Sequence, residues 1–169
     1  STVALARQSP RHEVFLDAFV VLKNEVTVGD YRTCVEAGGC EYTGPVADNQ
    51  SGFYEPFVRS YREDVVDLPM NFTTLAESQA YCAFVGMEVP TEAQWEKSAR
   101  GTDSRFFPWG ASLPNCTFAV MRSSDGPGCG ENNAWPVGSK FAGKSPYGVL
   151  DLSGNVWEWT ADWLGIDYY

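Results

Sequence analysis

Val89-Pro90-Thr91-Glu92-Ala93-Gln94-Trp95-Glu96 and Asp151-Leu152-Ser153-Gly154-Asn155-Val156-Trp157-Glu158-Trp159 decide the reading of this chain. The first stretch opens a helix. Thr91 and Gln94 form a capping box, in which the N-cap hydroxyl and the side chain three residues on satisfy each other's backbone N–H. Pro90 precedes the box and Gly101 ends the helix, with Trp95 and Ala99 on one face at i, i+4. The second stretch has no helical period. It sets two carboxylates, Asp151 and Glu158, on either side of a glycine-containing turn. Carboxylates and inward-turned carbonyls there can surround a hard cation such as calcium, which takes about six to eight oxygens and accepts irregular loops. The plain alternative is that both carboxylates cap turns.

Working outward, two more capping boxes appear, Thr27-Val28-Gly29-Asp30 and Thr74-Leu75-Ala76-Glu77. The first predicts a helix with Val28, Tyr31 and Val35 on its apolar face, stopped by Gly38-Gly39. The second predicts one with Leu75, Ser78, Cys82 and Val85 at helical spacing, closed by Gly86. Val14, Leu16, Ala18 and Val20 alternate with Phe15, Asp17, Phe19 and Val21, which predicts a strand. Residues 41–70 are polar and irregular, and a loop that long is functional or partly mobile. Beyond residue 101 the pattern is turns and short strands, including Phe106 to Gly110 and Ala134 to Gly138. No repeat of 20 to 50 residues occurs. The expectation is one α+β domain.

Composition narrows the function classes. The 169 residues are 44% apolar, enough for a core. Acidic residues number 22 against 12 basic, a formal charge of −10, which argues against nucleic acid and suits a cation or basic ligand. No apolar run is long enough for a membrane span. His12 is the only histidine, so no Ser-His-Asp triad can be drawn and the residue reads as part of a strand edge. Gly126-Pro127-Gly128-Cys129-Gly130 lacks the strand and helix of a phosphate loop and reads as a turn. The start, Ser-Thr-Val-Ala-Leu-Ala-Arg, shows no signal peptide; either one was removed or the chain is a fragment.

The five cysteines contain no CxxC pair, so neither structural zinc nor thioredoxin-type chemistry is supported. Cys34 and Cys40 are too far apart along a straight helix to bond, but Gly38 and Gly39 can fold the chain back. Cys116 and Cys129 bracket a Ser/Gly/Asp/Pro loop and form the second plausible pair. Two bridges imply an oxidising place: periplasm, cell surface or medium. The alternative is five reduced, buried thiols. Cys82 is left over.

In order and spacing, the chain resembles the formylglycine-generating enzyme (sulfatase-modifying factor) family. The resemblance rests on Ser78 to Gly86, Pro-Thr-Glu-Ala-Gln-Trp-Glu at 90–96, Ala99-Arg100-Gly101, Phe107-Pro108-Trp109-Gly110, Pro136-Val137-Gly138-Ser139 and Tyr147 to Trp159. Asn24-Glu25-Val26-Thr27 fits the family's start. The resemblance runs from about Pro10 to the end and implies a loop-rich variant of the C-type lectin-like fold. It also implies calcium at Asp151 and Glu158, with carbonyls from Gly154 and Val156, and the loss of a second calcium site at Ala119-Val120, where the Cys116–Cys129 bridge organises the loop instead. The family continues past its Trp-Glu-Trp segment with an Arg-Gly-Gly-Ser-Trp-like stretch and a Gly-Phe-Arg-like strand, neither of which follows here. In the oxidising members the copper-binding cysteine pair lies in that segment. Cys82 matches a cysteine that in some members pairs near that C-terminus.

Two functions follow as expectations. The favoured one is a non-catalytic binding or structural domain of a secreted or surface bacterial protein, with a protein or peptide partner, or the C-terminal remainder of its own domain. The alternative is a fragment of a copper-dependent oxidase that converts sulfatase cysteines to formylglycine, with copper only if that remainder exists. Trp95, Trp109, Trp157 and Trp159 are expected in the core, as aromatics dominate cores. Core packing is also the default over a sugar platform for Trp157, Trp159 and Trp163. Asn49, Asn71 and Asn115 head formal glycosylation sequons.

Overall fold

A computed structural model describes residues 13–44 and 65–163. His12, Asn49 and most of the 41–70 loop lie outside the described residues. Three short helices form: α1, Val28–Glu36; α2, Leu75–Phe84; and α3, Glu92–Arg100. All three begin at the capping boxes read from the sequence, with both reciprocal hydrogen bonds present in each. At the end of α1 the N–H of Gly38 donates to Val35 and that of Gly39 to Cys34, with Gly38 at φ 76°. That left-handed corner satisfies the last carbonyls and suits a residue without Cβ. It also brings Cys40 back to Cys34.

Both disulfides are present. Cys34–Cys40 and Cys116–Cys129 have Cα separations of 5.3 and 5.8 Å, and Cys82 is the free cysteine. Closing loops of this size stabilises the fold by about 2–3 kcal/mol each. Cys82, expected buried, is half-buried.

The first core cluster lies between α1 and α2. Val28 and Cys34 are fully buried and Tyr31 nearly so, joined by Cys40, Met70 and Tyr81. The Tyr31 ring stacks on Tyr81 with centroids 5.7 Å apart, and its hydroxyl donates to the Glu41 carbonyl at 2.8 Å. The expected face of α2 is therefore rotated. Glu77 and Tyr81 are buried while Val85 is 40% exposed, because Tyr81 answers Tyr31 and Glu77 grips two chain segments. Glu77 accepts from the N–H of Thr74 and of Thr43, both at 2.6 Å, tying the α2 start to the stretch after Cys40. Burial pushes the Glu77 carboxyl up, but these bonds outweigh it and hold it below its ordinary value. The second cluster joins α3 to the late chain through Ala99, Val149 and Leu152, with Val21 and Trp95 packed against it.

Strand content is less than expected. The described residues carry only isolated antiparallel bridges, Thr27–Pro69, Phe107–Gly110 and Ser123–Gly126. The expected strand at Val14–Val21 does not pair: no hydrogen bond forms from its backbone, and Phe15 and Val20 are 90% and 83% exposed. The expected strands at 106–110 and 134–138 are a tight turn and coil. The Gly126 to Gly130 stretch, read as a turn, forms a short 3-10 helix over Pro127–Gly130 that is kinked at Gly128 and Cys129. Among the described residues no helix is long and apolar enough to cross a membrane.

Candidate functional site

The two clusters do not close on each other. An open groove of about 700 Å³ lies between them, reaching Tyr31, Met70 and Tyr81 of the first and Val149 and Leu152 of the second. One wall is the extended stretch from Phe19 to Val26. Another is Val149, Leu150, Leu152 and Val156 to Trp159, with Cys82 and Trp95 lining it from α2 and α3. This opening corrects the tryptophan expectation. Trp157 is 98% exposed, Trp159 50% and Trp163 87%, while Trp95 and Trp109 are half-buried. Trp157 and Trp159 line the open groove rather than occupying a closed core. Trp109 instead stacks between Phe107 and Phe118, at 5.1 and 5.0 Å.

Glu25 and Glu158 line the groove, and the charge of Asp151 acts on both. Asp151 is buried and sits at φ 60°, where its Oδ2 accepts from Gly138 N–H at 2.5 Å. Glu158 accepts from the Trp95 indole N–H. Glu25 accepts from Asn155 Nδ2 at 2.6 Å and from Val156 N–H at 3.2 Å. Asn155 also bonds the backbone of Trp135 in both directions and donates its own N–H to the Val120 carbonyl. Gly154, at φ 102°, lets this turn lie flat on the Val120 segment, since a Cβ there would stand 2.4 Å from the Val120 oxygen. The Val120 carbonyl is thus spent on the turn.

The carboxylates strain against one another. Burial first, then the charge of Asp151, lift Glu25 to about 9, although the bonds from Asn155 and Val156 pull it down; Glu158 adds to the push. Burial lifts Glu158 to about 7, against the pull of the Trp95 N–H and with a further push from Asp151. Protein crowds this carboxyl although the residue is exposed to solvent, and the water that reaches it tempers the shift. Burial also raises Asp151, against the Gly138 bond. The half-buried Cys82 thiol is raised in the same way, so it carries little thiolate.

The structure therefore brings Asp151, Gly154, Val156 and Glu158 onto one turn and couples the two acids electrostatically. Both acids also act partly as turn and ring anchors, and among the described residues no three His, Cys, Asp or Glu side chains group as metal ligands. The carbonyls of Gly154 and Val156 accept no hydrogen bond among the described residues. The sequence reading missed Glu25, which sits 126 positions before Asp151 and reaches it only through the fold. It also missed Asn24, whose buried Oδ1 has no hydrogen-bond partner. The available signal was the polar triplet Lys23-Asn24-Glu25 set between Val20-Val21-Leu22 and Val26.

The chain matches the sulfatase-modifying factor enzyme 1-like domain over residues 2–169. It is 34% identical to the formylglycine-generating enzyme of Bos taurus, over 92% of this chain and 43% of that protein. It is 31% identical to the hercynine oxygenase of Mycolicibacterium thermoresistibile, over 94% of this chain and 39% of that protein. It is 37% identical to the inactive C-alpha-formylglycine-generating enzyme 2 of Bos taurus, over 57% of this chain and 33% of that protein. The chain spans less than half the length of these relatives. Similarity along essentially its whole length, together with the capped α3 and the Gly154 turn, places the chain in the sulfatase-modifying factor (formylglycine-generating enzyme-like) family.

Proposed function

We propose that residues 1–169 form the scaffold and binding portion of a sulfatase-modifying factor domain, without thiol redox chemistry of their own. The observation that carries this reading is the state of the cysteines. Four are closed in two local disulfides, and the fifth is a half-buried thiol with its pKa raised. Formylglycine formation calls for a reactive thiolate pair at an open cleft. A relative described as inactive agrees with a non-catalytic use of the scaffold. The fold variant we propose is the C-type lectin-like one, and the two disulfides support an extracellular, surface or periplasmic location. The direct test incubates the chain with copper, oxygen and a sulfatase-type cysteine peptide and looks for formylglycine by mass. We expect none; conversion of the peptide would overturn the reading.

The second reading, part of an oxidase, has its support in relatives named as formylglycine-generating enzyme and hercynine oxygenase. In that case copper and the thiol pair belong to polypeptide outside these residues.

We further propose that calcium binds the 151–158 turn. Asp151 and Glu158 would supply carboxylate oxygens, and Gly154 and Val156 their carbonyls. Bound there, the ion supplies positive charge that relieves the repulsion among the acids and fixes the turn. Asn155 and Gly154 hold the backbone in shape for it.

A further inference from the structure

Charge is spread unevenly along this chain. Residues 104–150 carry four basic residues against two acidic, while the rest of the chain carries eight against 20. The acid-free stretches 104–124 and 132–150 pack on each other. The rings of Phe107, Trp109 and Phe118 stack in parallel, and Gly143 lies so close on the Phe118 carbonyl that a Cβ would collide with it. Arg105 is held by Asp103, but Arg122, Lys140 and Lys144 form no ion pair among the described residues. The Lys140 ammonium lies over the Trp135 ring at 3.7 Å and that of Lys144 over the Phe141 ring at 4.2 Å. A ring face takes up part of an ammonium group and leaves N–H donors for an oxygen acceptor. Phe141 and Tyr147 flank Lys144 in sequence and are 62% and 56% exposed. Their loop is fixed from beneath. Ser145 is buried, its Oγ accepts from the N–H of Tyr147 and of Val149, and its own N–H donates to the Val149 carbonyl at 2.8 Å.

We propose that this loop docks an acidic segment of a partner protein, with carboxylates on Lys140 and Lys144 and an apolar side chain against Phe141 and Tyr147. Aromatic side chains held in place before binding lose little freedom on contact, and such anchors carry much of the energy of interfaces. Unpaired lysines on an otherwise acidic chain select a partner of opposite charge. Nucleic acid fits poorly, since three free basic groups neutralise few phosphates. An anionic lipid surface would meet the net charge of −12 on the rest of the chain, whereas a short peptide touches the loop alone. Lys140, Phe141, Lys144 and Tyr147 belong to neither the groove lining nor the 151–158 turn.

The test uses the full chain. A random peptide library is depleted on the double variant Lys140→Glu, Lys144→Glu, which removes peptides that bind elsewhere, and is then selected on wild type. The enriched peptides should set two or more carboxylates beside an aromatic or aliphatic residue. A synthetic peptide of that consensus should bind Lys144→Glu at least about tenfold more weakly than wild type. Added salt should weaken the wild-type complex. Lysines in place of the peptide's carboxylates should restore binding to Lys144→Glu. Phe141→Ser should weaken binding to a similar degree, and the helix amides of each variant should keep their wild-type protection. The proposal fails if no peptide is enriched, if the enriched peptides lack carboxylates, or if Lys144→Glu binds them as wild type does. It also fails if wild type, but not Lys144→Glu, sediments with vesicles of phosphatidylcholine and phosphatidylserine, or self-associates. Lipid or a second copy would then be the occupant.

Discussion

Two glutamates show how differently the halves of this molecule are held. Glu77 sits buried at the start of α2 and receives N–H bonds from Thr74 and Thr43. Glu25 sits in the groove wall, receives bonds from Asn155 and Val156, and still faces Asp151 and Glu158. The first is an anion among donors and its carboxyl is held low. The second is an acid among acids and rises to about 9. The helical half is finished by local contacts that the sequence places within a few residues of each other. The groove half is assembled from distant segments and leaves charge and backbone unpaired.

That contrast orders the expected effects of substitution. Tyr31→Ala should be the most damaging, about 3–5 kcal/mol, as for other large aromatics removed from cores, because it empties the stack on Tyr81. Denaturant unfolding measures it, and a loss below about 1 kcal/mol would show that the α1–α2 cluster is not the stable half. Glu77→Gln should cost about 1.5–3 kcal/mol, the value of hydrogen bonds to a charged group. Because the folded Glu77 carboxyl is held low, its contribution is present above the unfolded value near 4.5 and is lost as pH falls through the folded value. Unfolding at falling pH should therefore separate wild type from Glu77→Gln above pH 5 and bring them together in strong acid.

Gly154→Ala should cost about 1–3 kcal/mol, from a positive φ and a Cβ against the Val120 carbonyl. It should disturb the groove half while the amide protection of α1 and α2 stays as it was. Trp157→Ala should be the mildest. With its ring 98% exposed in residues 1–169, the change in stability should stay within about 0.5 kcal/mol. A larger loss measured on these 169 residues would mean that the groove half is packed more tightly than its open walls indicate.

The capped helices and both disulfides were legible because their causes are local. A Thr with Asp, Glu or Gln three residues on, a glycine at a helix end, and two cysteines around a turn each carry their reason in adjacent sequence. The face of α2 was misread because Glu77 is buried by a bond to Thr43, which no helical period encodes. Val14 to Val21 have the alternation of a strand, but alternation cannot say whether an edge partner is present. Trp157 and Trp159 were misjudged for the same reason: burial depends on what lies opposite. In the 151–158 stretch the local pattern singled out Asp151 and Glu158, while Glu25, which meets them through the fold, lay outside any local pattern.

The central claim, that the acids of the groove wall need a cation, is tested most directly by melting the protein from pH 4.5 to 9 in chelator and in calcium. A carboxyl raised to about 9 in the fold contributes stability that is fully present below the unfolded value near 4.5 and is lost as pH rises toward 9. In chelator the melting temperature should therefore fall across that range, and Glu25→Gln should flatten the fall. Calcium should restore it, by about 2.7 kcal/mol of stability at a hundred times its dissociation constant, and Glu158→Gln should weaken that rescue. Superimposable curves in chelator and calcium, with no slope that Glu25→Gln removes, would contradict the account and leave Asp151 and Glu158 as anchors of a turn.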